Sequence, residues 1–270
     1  MTEQLNLHSQ PTVLQSSPIT LPPRPTEKRD LLISVIRSLR ENTELRESMK
    51  NTLRWERFFL EDSVDLTEDM QGLGHAINTY RTTVRATEKE YIEGLFDTEQ
   101  VAELRIAAII HDIGEIGVGD ITYSLKNATH ESMEKEYFKS HIERLFPDLS
   151  DAQRKDLLRI YLDIAQGDRE KDPQARYFSM IERIGYLETA VDLFRKKPSD
   201  IDWRNIVGNV LFNQGKHFDY LVDDYRAARE AIRSMKEDIE KMLKFVERNM
   251  EHLEDSPDVG LWRSILEKCP

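Results

Sequence analysis

The chain has 270 residues, with 38 Lys and Arg against 50 Asp and Glu and a formal net charge of −12. That balance excludes a surface built for duplex nucleic acid or an anionic membrane, because phosphates require clustered Lys and Arg. A composition of 39% hydrophobic and 33% charged residues suits a charged helical protein better than a sandwich or barrel.

The first 26 residues hold Pro11, Pro18, Pro22, Pro23 and Pro25 among Gln, Ser and Thr, and read as an extended or disordered tail that supports no core. They carry no basic-then-apolar secretory pattern. The single cysteine, Cys269, allows no intrachain disulfide, which fits a reducing cytoplasm. Thr26 can cap a helix that presents Leu31, Leu32, Val35, Ile36 and Leu39 at spacings of three and four. Residues 99–113 and 131–146 also read as helices. The longest aliphatic run, Ile106 to Ile110, ends at His111 and is too short to span a bilayer. Asp172-Pro173 reads as an N-cap followed by proline at the first helical position, and Tyr177, Met180, Ile184, Leu187 and Val191 form the stripe that follows. In the last third, Leu221, Tyr225, Ala228, Ile232, Met235, Ile239, Met242 and Val246 alternate by four and three, a heptad pattern. Such a helix packs either along its own domain or against a second subunit. Alternating strands are missing and only 11 glycines punctuate the chain, so the expected fold is all-α: a tail over 1–26, a helical bundle over 27–198 and a helical extension over 199–270.

The segment that carries chemistry is IAAIIHDIGEIGVGDITYSLK, residues 106–126. Glu115 lies four residues beyond His111 and three beyond Asp112, so the three can share one face of a helical turn. Burying that many charges beside an aliphatic helix costs several kcal/mol unless something compensates, and a divalent cation is the usual compensator.

The run HDIGEIGVGDIT resembles the central signature of the HD-domain metal-dependent phosphohydrolases, in particular their 5'-deoxynucleotidase branch: His111-Asp112, two residues, Glu115, then Gly119-Asp120. The resemblance covers about residues 28–195. It implies a metal-ligating histidine on an earlier helix, here His75 in GLGHAINTYR, and an arginine-tryptophan pair for phosphate and sugar, here Arg54-Trp55. It implies a last ligand on a later helix, where Glu182 in ARYFSMIERIGYLETA stands in place of the branch's aspartate; Asp163 and Asp192 are the alternatives. His75, His111, Asp112 and Glu182 would then hold one divalent ion, and their mixed imidazole and carboxylate donors suit Mn, Co, Fe, Ni or Zn. Glu115 would be the general base or water-orienting group, Asp120 would handle protons on the leaving-group side, and Arg54 would grip phosphate. The implied substrate is a (deoxy)nucleoside 5'-monophosphate, cleaved to nucleoside and phosphate. Members of the branch are often dimers, so a homodimer is expected.

The related cyclic-di-GMP phosphodiesterases have lysine where Glu115 stands, proline where Gly119 stands, and a Gly-Tyr-Pro triplet; here Gly185-Tyr186 is followed by Leu187. His130, His141, His217 and His252 have no partner at informative spacing and read as surface or packing residues. Gly74, where the branch usually has an acid, and Glu182 are departures. They favour a second reading: a degenerate HD fold that binds a nucleotide without catalysis or serves as a scaffold, using the 201–270 helices as its partner surface.

Overall fold

The computed structural model describes residues 27–59, 71–119, 121 and 126–270. The tail over 1–26 and the cap expected at Thr26 lie outside these residues. The described residues form ten α-helices and no strand; the extended contacts are two isolated bridges, Leu53 with Gln71 and Phe59 with Ile201. The expected all-α class is therefore what the chain adopts. None of the described helices is long and apolar enough to cross a membrane.

Helices α1 (Glu27–Glu41) and α2 (Thr43–Asn51) precede α3 (Gly72–Glu93) and α4 (Thr98–Ile110). Helix α4 is the central element. A reciprocal capping box starts it: Asp97 accepts from the Gln100 N–H at 2.8 Å, and the Gln100 side chain accepts from the Asp97 N–H at 3.0 Å. From Val101 to Ile110 every residue except Arg105 is buried, because α1, α3 and α7 pack around it. A helix buried on all sides has no stripe, which is why its second half, Ile106 to Ile110, is an uninterrupted aliphatic run. Helix α3 reaches it with a buried threonine ladder, in which Thr83 and Thr87 each donate to the carbonyl four residues back at 2.7 Å. The hydroxyls are thereby satisfied inside the core.

The expected helix over 99–113 ends at Ile110. Glu115 N–H bonds the Asp112 carbonyl three residues back, and the chain tightens into a 3-10 turn, Ile113–Gly117. Helix α5 (Ala128–Leu145) begins earlier than expected, because Asn127 accepts from the Thr129 and His130 N–H groups. It is followed by α6 (Asp151–Ile160), which passes into a π-helical turn, Tyr161–Ala165. Helix α7 (Pro173–Lys196) is capped as the sequence implied: Asp172 accepts from Gln174 N at 2.7 Å and Ala175 N at 3.0 Å.

The heptad stripe is shared between two helices, α8 (Trp203–Asp224) and α9 (Arg226–Asn249). Tyr225 breaks it. Its backbone is extended, and its ring packs edge-on against Tyr177 at 5.3 Å. Leu221 therefore belongs to α8, while Ala228, Ile232, Met235, Ile239, Met242 and Val246 are buried along α9. The chain itself covers them, with α7, α8, α10 (Val259–Lys268) and α3 packed on α9. Trp262 of α10 is fully buried, and its Nε1 donates to the Leu211 carbonyl at 2.8 Å, locking α10 onto α8. Through these contacts residues 199–270 share their core with the preceding helices.

Candidate metal centre

His111 follows the last turn of α4, its N–H bonded to the Ala107 carbonyl at 2.9 Å. Its Nδ1 lies 3.0 Å from the Ala108 carbonyl. A carbonyl only accepts, so Nδ1 carries a proton, and in the neutral ring Nε2 is the nitrogen whose lone pair a metal would take. That Nε2 is buried and has no hydrogen-bond partner, although Asp112 Oδ1 is 3.0 Å away. Two lone-pair donors facing one another out of water are unfavourable alone and well matched to a shared cation.

His75, projecting from α3, completes the group. Its Nε2 is 3.8 Å from Asp112 Oδ2, and one ligand atom from each of His75, His111 and Asp112 can be chosen so that all lie within 4.8 Å of one another. All three residues are buried. Burial and the nearby Arg54 and His111 hold the His75 pKa well below the ordinary imidazole value, against the pull of Asp112, so the ring is neutral and able to ligate. Burial acts to raise Asp112, but the neighbouring charges, those of His111 and His75 when protonated and of Arg54 throughout, outweigh it and hold the carboxyl below its usual range. The donor set, two neutral imidazoles and a carboxylate, fits a borderline divalent ion.

Two further groups are aimed at the same place. Arg54 Nη1 is 2.7 Å from Asp112 Oδ2 and 3.9 Å from Glu115 Oε2, and its guanidinium carbon lies 5.5 Å from the ring centroids of both Trp55 and Tyr186. Trp55 has φ +54°, a left-handed conformation that a side-chain-bearing residue adopts at a cost of about 1–3 kcal/mol. The strain falls beside a buried arginine and the candidate ligand set. Glu115 is brought in by the 3-10 turn, which can approach α5 only because residue 114 is glycine. A Cβ there would lie 2.2 Å from Tyr161 Oη and 2.9 Å from the Glu134 carbonyl oxygen. Lys126 stands 3.6 Å from Glu115 and 2.8 Å from Glu134, whose side chain is fully buried.

Arg54, Trp55, His111, Asp112, Glu115 and Lys126 line one cavity of about 350 Å³, within the range of small-ligand sites, while His75 faces a separate pocket. Of the residues singled out from the sequence, His75, His111 and Asp112 form the ligand group, with Arg54, Trp55 and Glu115 around it. Glu182 is on the cavity wall but does not join the group; its carboxylate pairs with Arg169 at 3.3 Å. On α7, Gly185 faces His75, where an added Cβ would be 4.0 Å from the His75 ring. Asp163 and Asp192 pair with Arg159 and Lys196; the Asp163 side chain is 57% exposed and that of Asp192 38%. Asp120 lies outside the described residues.

Sequence reasoning missed Tyr186, Lys126 and the residues of α8. Tyr186 stacks on His75 at 5.9 Å and 11°, and burial pushes its phenol up to about 12 against the opposing pull of Arg54. One helical turn beyond Glu182, it was within reach of a spacing argument. Lys126 and α8 carried no local signal, since only the fold brings them to the cavity.

Residues 79–202 match the family model described as HD domain. The matched stretch contains His111, Asp112, Glu115 and Glu182 and begins after His75. It supports an HD-domain family and reaches no finer branch. No curated protein and no solved structure matched the chain.

Proposed function

We propose that this chain is a metal-dependent phosphohydrolase that cleaves a nucleoside 5'-monophosphate to nucleoside and phosphate. The match to the HD domain supports metal-dependent phosphohydrolase chemistry in general. The observation that carries the reading is the bare, buried Nε2 of His111 beside Asp112 and His75, with an arginine and a second carboxylate on the same cavity.

His75, His111 and Asp112 would hold the ion, with Glu182 on the wall as a fourth donor if it releases Arg169. A divalent ion so bound supplies an activated water and offsets phosphate charge. The chain does the rest. Arg54, lying over the rings of Trp55 and Tyr186, presents a planar fork that fits two phosphate oxygens. Glu115, a carboxylate lying between the Arg54 and Lys126 cations, accepts the proton of the attacking water. The indole and phenol walls exclude bulk water from the phosphate, which strengthens the electrostatic contacts inside. Asp120 is the candidate proton donor to the departing alkoxide.

The test is metal analysis of the purified protein and a phosphate-release screen over nucleoside monophosphates. About one divalent ion per chain, lost in His111→Ala together with phosphate release, is the expected result. A wild-type protein that takes up no divalent ion would refute it. One observation favours the non-catalytic reading: Arg54 already satisfies Asp112 at 2.7 Å, so the buried carboxylate has a counter-charge of its own. On that reading nucleotide binds without metal and no ester is cleaved.

A further inference from the structure

The matched HD stretch ends at residue 202, but the cavity does not: Asn209, Asn213 and Gln214 of α8 also line it. All three are more than nine-tenths buried, at 4%, 8% and 4% exposure. Four residues apart, Asn209 and Asn213 stand one above the other on the helix, and Gln214 lies beside them.

An amide side chain offers a carbonyl oxygen on one side and an NH₂ on the other, and here a partner of fixed character sets each one. Asn209 Nδ2 donates to Asp255 Oδ2 at 2.7 Å, and a carboxylate only accepts. Asn213 Nδ2 donates to the Asn209 main-chain carbonyl at 2.9 Å, which also only accepts. Arg183 Nη1 donates to Gln214 Oε1 at 2.8 Å, and a guanidinium only donates. No flip of any amide preserves these bonds. Among the described residues these side chains make no other hydrogen bond, so, besides the second N–H of each Asn, one half of each amide is wholly unpaired: the oxygens of Asn209 and Asn213 and the NH₂ of Gln214. None of these free ends is among the fully buried atoms without a partner, so they open onto the cavity, and a ligand that displaces water there must replace its hydrogen bonds.

We propose that this wall recognises guanine. Two acceptors and one donor complement a neutral planar group bearing two N–H donors and one acceptor, and the hydrogen-bonding edge of guanine has that composition. Thymine and uracil carry one N–H between two carbonyls. Hypoxanthine lacks the second donor, and adenine and cytosine each offer a single amino group there. The wall carries no charge of its own, as suits a neutral base, while the Arg54 end of the cavity suits an anion. The ester would therefore be a guanine nucleoside 5'-monophosphate. That statement about turnover rests on the phosphohydrolase reading; the recognition does not.

The experiment separates the two. Guanosine, inosine and thymidine are titrated calorimetrically into the full-length protein, and phosphate release is measured from the three corresponding 5'-monophosphates. Guanosine is expected to bind at least about tenfold more tightly than either competitor, since each rival leaves a buried polar group of the wall unpaired. Gln214→Glu keeps the shape and the Arg183 contact but turns the donor into an acceptor, and should weaken guanosine by about tenfold or more. Asn213→Leu should remove the preference over inosine, with urea melts confirming its fold. Lys216→Ala, exposed on α8, is the control and should bind as wild type does. Equal binding of the three nucleosides, or a guanosine preference unchanged in Gln214→Glu, overturns the inference. Equal nucleoside binding with phosphate released from every ester would leave the phosphohydrolase standing and the guanine wall refuted. A guanosine preference without release from any ester would do the reverse.

Discussion

Replacing Lys126 by Met tests the polar ground on which Glu115 rests. Glu134 is fully buried, and its carboxylate meets the Lys126 ammonium at 2.8 Å. Burial raises the Glu134 pKa, with Lys126 pulling against it and Asp112 adding to it. Removing one partner of a buried pair leaves an uncompensated charge and costs about 3–5 kcal/mol. The Lys126 side chain keeps 20% of its exposure, so the lower end, about 3 kcal/mol, is the expected loss at pH 7. At about 2–4 °C per kcal/mol for a protein of this size, Tm should fall by about 6–12 °C. The loss has a pH signature. A carboxyl whose pKa is raised on folding takes its proton more readily in the native state, so its penalty is absent at low pH and grows as pH rises. Lys126→Met should therefore approach wild-type stability as the pH is lowered and diverge above neutrality. Adding Glu134→Gln should restore most of the loss, because the charge at Glu134 is then gone and Glu115 keeps Arg54 at 3.9 Å. Urea titrations followed by circular dichroism across the pH range measure all three variants. A Lys126→Met protein as stable as wild type at pH 8, or a double variant no better than the single one, would refute the reasoning.

Glu115→Gln should retain the ion and lose about 10²- to 10⁴-fold in turnover, the usual contribution of a positioned general base, as read by metal analysis alongside phosphate release. Asp172→Ala removes an acceptor for two N–H groups at the start of α7 and should cost about 1 kcal/mol in urea unfolding, with the cavity chemistry unchanged. His217 is lowered to about 4 by burial and by Arg183, Lys216 and Arg169. The unfolded chain binds that proton first, so stability should fall as pH drops from about 6.5 toward 4, and His217→Gln should flatten that part of the stability profile.

The sequence disclosed the elements whose signals are local. Asp172-Pro173 announced α7, and the aliphatic run ending in His111-Asp112 announced both the central helix and the candidate ligand pair. The group His75, His111 and Asp112 became legible through resemblance, because nothing in the spacing of His75 says that α3 lies against α4. Glu182 shows the limit of register arguments: the right helix and the right wall, with the carboxylate turned to Arg169. The heptad stripe misled in another way. Apolar four-three spacing runs through Tyr225 as though one helix continued, whereas packing of that ring on Tyr177 turns the backbone at that point. Lys126, Asn209, Asn213 and Gln214 stand in segments whose own pattern is that of ordinary loop or helix, so only tertiary packing discloses them.

The cavity draws its walls from residues as far apart in the chain as Arg54 and Gln214. No short segment of the polypeptide possesses it, and the unfolded chain has no affinity to set against it. A ligand that fills it therefore acts on the whole folding equilibrium: at a hundredfold excess over Kd, occupancy adds about 2.7 kcal/mol to global stability. Melting temperature becomes an assay in its own right, one that ranks metals, phosphate esters and nucleosides without waiting for turnover. Slowed amide exchange should then spread into α8 and α10, helices whose sequences carry no metal-ligand motif.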